Sequence, residues 1–194
     1  MGYAMTGSSS DTAVSRRLSP LKGAVLGVLV QRESYGYEIA NMLERQLGAS
    51  WSVARSSLYR MLKDMLKQEL LESGSPGKTN SAQIVYRSTA LAEALFVGWM
   101  ESPLSPEHGP LQLQARMVVA RPQDLQRLLL VLNDYERVLF ARRRRIEEGM
   151  PAPRSLRSAM MFLVRQAPLQ QIGGELSWVD MSRKTIHVLM GSSG

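Results

Sequence analysis

Apolar residues recur at helical spacing along most of this chain. Residues 54–67 show the clearest case, because their apolar positions follow the i, i+3, i+4, i+7, i+8 pattern of a helix with one buried stripe. The stripe consists of Leu58, Met61, Leu62, Met65 and Leu66. At about 100° per residue, the opposite arc carries Ser56, Tyr59, Arg60, Lys63 and Lys67. The pattern predicts an amphipathic helix whose outer arc is basic and free of acids, unlike the mixed-sign surface of most soluble helices.

A first helix is predicted to begin at Ser19 and Pro20, residue types that suit the cap and the first turn of a helix. Its apolar run continues to about Val30. Gly23 and Gly27 lie four residues apart and lower helix propensity. Close packing of a neighbouring helix on that face would explain both glycines.

A second helix is predicted from about Tyr35, with Gly48 as its C-terminal cap. Beyond the amphipathic helix, residues 69–73 and 82–88 have strand-like composition, and the Gly, Pro and Asn residues between them predict a β-hairpin. Thr89 is positioned to cap a further helix. Three helices, a hairpin and a fourth helix are the element order of a winged helix-turn-helix.

Prolines divide the rest of the chain and indicate a domain boundary. We predict a disordered tail over residues 1–17, a winged helix domain over 18–101 and a linker over 102–110. A C-terminal helical dimerisation domain follows over 111–190, with a flexible end at 191–194. The predicted fold class is therefore mainly α with a small β-hairpin.

In the second domain, the sequence predicts a short helix over residues 111–120 and a long one over 122–148. Apolar residues recur on the long helix at alternating spacings of three and four, close to a coiled-coil seam. They include Leu125, Leu128, Leu132, Tyr135 and Leu139. We expect this long helix and the amphipathic tail after it to hold a homodimer together; the alternative is that they fold back on their own domain.

A last helical region is predicted from about Ser155 to Lys184. Pro168 lacks the amide hydrogen that a helix interior uses, and Gly173–Gly174 lowers helix propensity. We therefore expect this region to be bent or divided at these residues.

The composition of the chain narrows the classes of partner that it is expected to bind. The chain has 194 residues, a formal net charge of +7 and a sequence pI near 10.0, which favours an anionic partner such as nucleic acid or an acidic membrane surface. It contains no cysteine, which excludes disulfides and thiolate metal sites and fits a reducing cytoplasm. The longest apolar run, residues 23–30, is far shorter than a membrane span, which requires about 20 residues.

Few features of the sequence support an enzymatic function. His108 and His187 lack partners at ligand spacing, so we predict neither a metal site nor histidine-based catalysis, and no cofactor. The stretch "GSPGKTN" lacks the spacing of a phosphate-binding loop. We expect a cytoplasmic protein that is not an enzyme.

Three motifs resemble the PadR family of transcriptional regulators: "YGYEIANMLE" from Tyr35, "SSLYRMLKDMLKQELLE" from Ser56 and "VYRSTALAEAL" from Val85. The later stretch "GGELSWVDM" is similar to the virulence-activator-like C-terminal region found in that family. The sequence departs from the pattern in three places: Arg60 stands where the family usually has proline, Glu69 where it usually has glycine, and Ser56–Ser57 where Gly-Thr is common. The resemblance implies a winged helix that binds DNA and a C-terminal helical domain that forms a homodimer.

An α-helix fits the major groove of B-DNA and points its N-terminal side chains at base edges. We predict that Ser56, Ser57 and Arg60 read bases and that phosphates are contacted by Arg55, Lys63 and Lys78, residues of the helix and the hairpin tip. Both the pattern and the resemblance point to Tyr59 as a phosphate contact, with a purely structural role as the alternative. A basic helix face is also often only a solvated surface.

The function predicted from this reading is a sequence-specific DNA-binding repressor that binds an inverted repeat as a homodimer. The alternative is a winged-helix docking module whose basic face binds an acidic protein. The resemblance also implies a small aromatic effector for some members, for which Trp51, Trp99 and Trp178 are candidate ligand-binding residues, although such residues usually belong to the core. The run "ARRRRIEE" near residue 145 is expected to be a solvated face with internal ion pairs, with a second nucleic-acid patch as the alternative.

Overall fold

The computed structural model describes residues 18–48, 54–74, 84–104 and 109–192. The chain packs into two units. The first comprises Met1–Ser102 and Leu111–Asp124, and the second comprises Pro103–Pro110 and Leu125–Gly194. Among the described helices, none is long and apolar enough to cross a bilayer.

In the described ranges before residue 120, the structure has five helices and three strands. They are α1 (Pro20–Gln31), β1 (Ser34–Tyr35), α2 (Gly36–Leu47), α3 (Arg55–Lys67), β2 (Leu71–Gly74), β3 (Val85–Ser88), α4 (Ala90–Glu101) and α5 (Gly109–Val119). Helices α1 to α3, the β2–β3 hairpin and α4 form a winged helix-turn-helix. The predicted fold class, mainly α with a small β-hairpin, is confirmed.

Helix α1 begins as the sequence predicts. The Ser19 side chain accepts a hydrogen bond from the Lys22 amide, and Pro20 occupies the first turn. A Cβ added to Gly23 would collide with the Trp99 ring, and one added to Gly27 would lie 2.5 Å from Val119 Cγ2. Both glycines therefore let other side chains pack directly on the α1 backbone, which confirms the prediction made from their spacing.

The sheet contains a strand that the sequence analysis missed. In the described part of the chain, the strand order is β1-β3-β2, and all pairs are antiparallel. Ser34 pairs with Tyr86 on one side of β3, while Leu71 pairs with Ser88 on the other. A two-residue strand shows no periodicity, so its pattern could not be recognised.

Glu69 connects the end of α3 to strand β2 in a left-handed conformation, with φ of 57°. Glycine adopts this conformation without steric cost, whereas other residues rarely do. The Glu69 carbonyl accepts a hydrogen bond from the Thr89 hydroxyl at 2.9 Å. The same hydroxyl oxygen accepts from the Ala92 amide and caps α4, as predicted for Thr89.

Two arginines flank the aromatic core of the first unit. Arg116 is fully buried; its guanidinium lies 5.2 Å from the Trp99 ring centroid and donates to the Ser102 carbonyl at 2.7 Å. Burial lowers the pKa of Arg116 to about 10. Arg121 lies over Phe96 and pairs with the buried Asp124 at 2.7 Å. These contacts join residues 111–124 to α4, so the structure places them with the first unit and not with the predicted C-terminal domain, which began at residue 111.

The second unit consists mainly of two long helices, α6 (Leu125–Glu148) and α7 (Leu156–Gly191), which pack against each other. Helix α6 begins at Leu125, after a 3₁₀ turn over Pro122–Asp124, three residues later than predicted. Helix α7 continues to Gly191 through Pro168 and both glycines, so the region is not divided there, while the bend expected at these residues stays a prediction. Packing along one face keeps a helix continuous despite one missing amide and two residues of low propensity.

The predicted seam of α6 lies inside the second unit. Leu128, Leu132, Tyr135 and Leu139 are buried, and Leu125 is half-buried. The Tyr135 hydroxyl donates to Glu175 of α7 at 2.5 Å, which shows that this face meets α7 of the same chain. The α6 seam therefore packs against its own chain, as the alternative hypothesis predicted. Its role in dimerisation stays a prediction.

Candidate nucleic-acid interface

Helix α3 presents the predicted two faces. Leu58, Leu62 and Met65 are buried, and Met61 and Leu66 are half-buried. All five residues of the opposite arc are exposed: Ser56, Tyr59, Arg60, Lys63 and Lys67. Ser57 and Arg55 are exposed as well. The first three turns of α3 therefore carry a polar, basic surface that no other described element covers.

The cations of this surface differ in their local partners. Arg55 donates to the Asn41 side-chain oxygen of α2 at 3.2 Å, so its guanidinium is oriented by the preceding helix. Lys67 lies 3.9 Å from Asp64, a loose and exposed pair that contributes little to stability. Arg60 and Lys63 form no ion pair within the described ranges and remain available to an external anion.

Tyr59 has one packed face and one exposed face. Its ring lies against Gly36, where a Cβ would come within 2.6 Å of Tyr59 Cε1, yet 44% of the residue is exposed. Burial, and to a smaller extent Tyr59, raise the pKa of the neighbouring Tyr86. The side chain therefore supports the α2–α3 junction and still reaches solvent, so both roles weighed for it are compatible with its position.

Lys78, the predicted phosphate contact at the hairpin tip, lies outside the described residues. Arg87 of β3, a cation of the hairpin, pairs with the Glu33 carboxylate. Its charge is therefore partly neutralised in the chain itself.

The candidate effector residues are not brought together by the described structure. Trp51 lies outside the described residues, and Trp99 is 1% exposed in the core of the first unit. Trp178 is half-buried on α7 in the second unit. A ligand would reach Trp99 only after the packing around Gly23 had opened, so the ligand role of these tryptophans stays a prediction.

Helix α7 carries an exposed apolar line that the sequence analysis did not identify. Its members, here called the α7 stripe, are Leu156, Met160, Leu163, Met181 and Val188, each 48% or more exposed. Positions 167, 170, 174 and 177 continue the same three-and-four spacing between them and are also exposed. The signal was present as a heptad spacing, but small and polar residues interrupt it in the middle.

Within the described ranges, no group of three or more histidine, cysteine, aspartate or glutamate residues is placed to hold a metal ion. In the first unit, the pKa shifts of Arg116 and Tyr86 are due mainly to burial in the core. What distinguishes the surface of α3 is thus its shape and positive charge.

Comparison with known proteins agrees with this geometry. Residues 25–93 match the model of the family described as "Transcriptional regulator PadR-like family". A Mycobacterium tuberculosis protein named "Probable transcriptional regulator Rv1176c" is 30% identical over 92 residues, which are 44% of this chain. The chain spans only 46% of that relative's length.

Solved structures of Bacillus subtilis PadR are also similar. The complex of that protein with operator DNA is 19% identical to this chain, with a TM-score of 0.41, and the match covers 84% of this chain and 97% of the other. For the complex with p-coumaric acid the identity is 20%, the TM-score is 0.39 and the coverage is 87% and 99%. The family match contains α2, α3, the hairpin strands and the start of α4, so residues 25–93 of this chain are similar to the PadR-like family of transcriptional regulators.

Proposed function

We propose that this protein is a sequence-specific DNA-binding repressor that binds an inverted repeat as a homodimer. The observation that carries this proposal is the outer arc of α3, where Arg60 and Lys63 are exposed and unpaired within the described ranges above a buried apolar stripe. The PadR-like family match over the same residues supports it.

In this proposal, the N-terminal half of α3 enters the major groove, where a helix can reach base edges. Ser56, Ser57 and Arg60 supply hydroxyl and guanidinium donors for base contacts. Arg55, Lys63 and Lys78 contact phosphates, which fix the orientation of the helix without reading sequence. Tyr59 adds a hydroxyl contact to a phosphate while its ring stays on Gly36.

Homodimerisation would place two copies of α3 on successive major grooves, about 34 Å apart along the DNA. The α6 seam proposed for this role is buried, so the α7 stripe is the better-supported surface. Of its four central positions, Ala167, Gly174 and Ser177 are small enough for two helices to approach closely, and the fourth is Gln170. The exposed apolar residues at both ends would lose their contact with water on pairing.

Release by a small aromatic effector belongs to the same proposal and depends on the family resemblance. Trp178 is the candidate contact that is half-buried in the second unit. An aromatic ligand would stack on its ring. Equilibrium titration of aromatic acids and phenols, followed by tryptophan fluorescence and by loss of DNA binding, tests this part separately.

A docking module for an acidic protein is the second candidate, because the same exposed cations would suit a carboxylate-rich surface. The two candidates differ in their response to duplex sequence. A repressor prefers its operator over bulk DNA by a factor of about 10³ or more, whereas a docking module has no such preference.

The deciding experiment is fluorescence anisotropy with the DNA upstream of the protein's own gene, at two salt concentrations, with a scrambled duplex of equal length as control. We expect tighter binding to the upstream DNA and a linear fall of log K with log salt. Equal binding to both duplexes, or no binding at the lower salt concentration, would overturn the repressor proposal.

A further inference from the structure

The densest positive charge of the chain lies in the second unit. Residues 141–165 contain seven arginines, two glutamates and no lysine, a net charge of +5 from the difference of these counts. The whole chain carries +7. A small segment around the α6–α7 turn therefore accounts for most of the excess charge, which the proposed function does not use.

Only two of these arginines are neutralised by the glutamates. Arg143 pairs with Glu147 at 2.8 Å and Arg144 with Glu148 at 2.7 Å, both one helical turn apart. This is the internal pairing expected from the sequence. Arg142 and Arg145 on the same helix make no ion pair in the part of the chain that the structure describes, and both are exposed.

Two further exposed arginines lie across the turn. Arg154 and Arg157 flank the Ser155 cap at the start of α7 and also lack an ion pair among the described residues. The Arg165 side chain donates to the Gly149 carbonyl, and the Gln166 side-chain nitrogen lies 3.9 Å from the Met150 sulfur. These contacts fold the turn back against α7, so the four arginines project from one end of the second unit.

We propose that this arginine tip, defined as Arg142, Arg145, Arg154 and Arg157, is a second binding site for the phosphate backbone of DNA. It would contact DNA outside the proposed operator and without reading sequence. The inference rests on the proposed function for the identity of the polyanion, because a DNA-bound regulator meets phosphate at high local concentration.

The residue type favours phosphate over other anions. Each guanidinium offers parallel donors that match two oxygens of one phosphate, and all cations of this segment are arginines. The positive end of the α7 dipole adds to the field at Arg154 and Arg157. Stable anchoring on an anionic membrane requires an apolar signal beside the cations. Of the exposed apolar residues of this segment, Leu156, Met160 and Leu163 belong to the α7 stripe proposed to be covered by a second copy, which leaves Met161 and Val164.

The test compares two duplexes that contain the same operator, one of about 20 base pairs and one extended on both sides to about 60 base pairs, long enough to reach beyond two half-sites one helical turn apart. The variant replaces all four tip arginines by glutamine. A matched pair of double variants, Arg142→Gln with Arg145→Gln and Arg143→Gln with Arg144→Gln, removes the same charge from the same helix. Anionic vesicles of phosphatidylglycerol serve as a third probe.

We expect the wild type to bind the long duplex more tightly, with a steeper salt dependence, since each neutralised phosphate adds about 0.9 to the slope. On the long duplex, the slope of log K against log salt should be smaller by about 2 to 4 for the fourfold variant, because up to four phosphate contacts are lost. Its affinity for the short duplex should be unchanged. Of the two double variants, the one that removes Arg142 and Arg145 should have the larger effect.

An unchanged slope on the long duplex would overturn the inference, as would vesicle binding that depends on the tip while DNA binding does not. Equal effects of the two double variants would show that the segment attracts DNA only through its total positive charge, and that Arg142 and Arg145 do not contact phosphates directly. The readout is independent of sequence, so it also separates this inference from the proposed function. A protein without operator preference would still show the length dependence, and a repressor without the tip site would not.

Discussion

The ring of Tyr59 lies against the backbone of Gly36, leaving no space for a side chain at that position. A Cβ there would come within 2.6 Å of Tyr59 Cε1 and 3.3 Å of Leu62 Cδ1. Gly36 is the first residue of α2, and Tyr59 lies on the exposed arc of α3. The glycine of the "YGYE" motif therefore sets the distance between the two helices of the helix-turn-helix.

We predict that Gly36→Ala lowers the free energy of unfolding by about 1–3 kcal/mol, because inserted atoms force packed neighbours to move. The measurement is urea unfolding followed by circular dichroism. Gly173→Ala is the matched control, since a Cβ at that helical position meets nothing within 4 Å and should stabilise the protein by about 0.5–1 kcal/mol. If Gly36→Ala costs the same in a Tyr59→Ala background, the proposed contact is not the cause.

Arg60→Ala and Lys63→Ala should each weaken DNA binding and leave the thermal midpoint nearly unchanged. Both side chains are exposed and form no ion pair within the described ranges, so their removal breaks no internal contact. Removing a base contact costs about 1–3 kcal/mol of binding free energy and relaxes specificity, whereas loss of a phosphate contact weakens all sequences alike. Anisotropy titrations with operator and scrambled duplexes distinguish these outcomes. A large fall in thermal midpoint would show that the arc is structural.

Glu69→Gly should stabilise the first unit by about 1 kcal/mol. Glu69 has a φ of 57°, a conformation that costs a residue with a Cβ about 1–2 kcal/mol and glycine almost nothing. Only its carbonyl bonds to Thr89, and this bond survives the substitution. The expected gain is read from the urea midpoint. Glu72→Gly, in strand β2, is the opposite control and should destabilise, because glycine weakens a strand interior.

Periodicity predicted the helices of this chain well, and local chemistry predicted several of their boundaries. Ser19, Thr89 and the pair Gly23 and Gly27 all behave as their residue types indicate, since caps and close approaches depend on neighbours along or beside one helix. The outer arc of α3 was predicted for the same reason.

The sequence did not predict which apolar surfaces pack against each other. The α6 seam and the α7 stripe both show spacing of three and four, yet one is buried within the chain and the other is exposed. Spacing identifies a face but not its partner. Strand β1 was missed because two residues show no period, and Pro168 was overrated as a breaker because packing along α7 outweighs one missing hydrogen bond.

Tyr135→Phe should destabilise the second unit and make its free energy of unfolding less dependent on pH in the alkaline range. Burial, followed by the hydrogen bond to Glu175, raises the pKa of Tyr135 above its ordinary value near 10. The folded state therefore keeps a proton that the unfolded chain releases, so stability is full below about pH 10 and falls as pH rises above it. Losing a bond to a charged acceptor costs about 1.5–3 kcal/mol.

Urea unfolding at pH 8 and pH 11 measures both effects. The wild type should lose more stability than Tyr135→Phe between the two pH values. Tyr86→Phe is the matched control in the first unit, because burial also raises the pKa of Tyr86 but no carboxylate is involved. Identical losses in wild type and Tyr135→Phe would contradict the assigned role of the Glu175 bond.

The α7 stripe should hold the homodimer, and a charge placed in it should produce monomers. Leu163→Glu and Met181→Glu introduce a carboxylate at positions 57% and 59% exposed, so neither creates a cavity in the chain itself. Burying that carboxylate between two subunits would require desolvation without a partner, which costs several kcal/mol. Light scattering should show half the wild-type mass with a near-native circular dichroism spectrum.

Two comparisons make this prediction decisive. His187→Glu places the same charge on an exposed position of α7 outside the stripe and should stay dimeric. A truncation after Asp124, which keeps the Arg121–Asp124 pair, removes α6 and α7 and should also yield a monomer. Monomeric Leu163→Glu protein should bind a half-site weakly and lose the tight binding to the inverted repeat, because the two half-site energies no longer add within one complex. If a stripe variant remains dimeric, the dimer interface lies on another surface of the second unit.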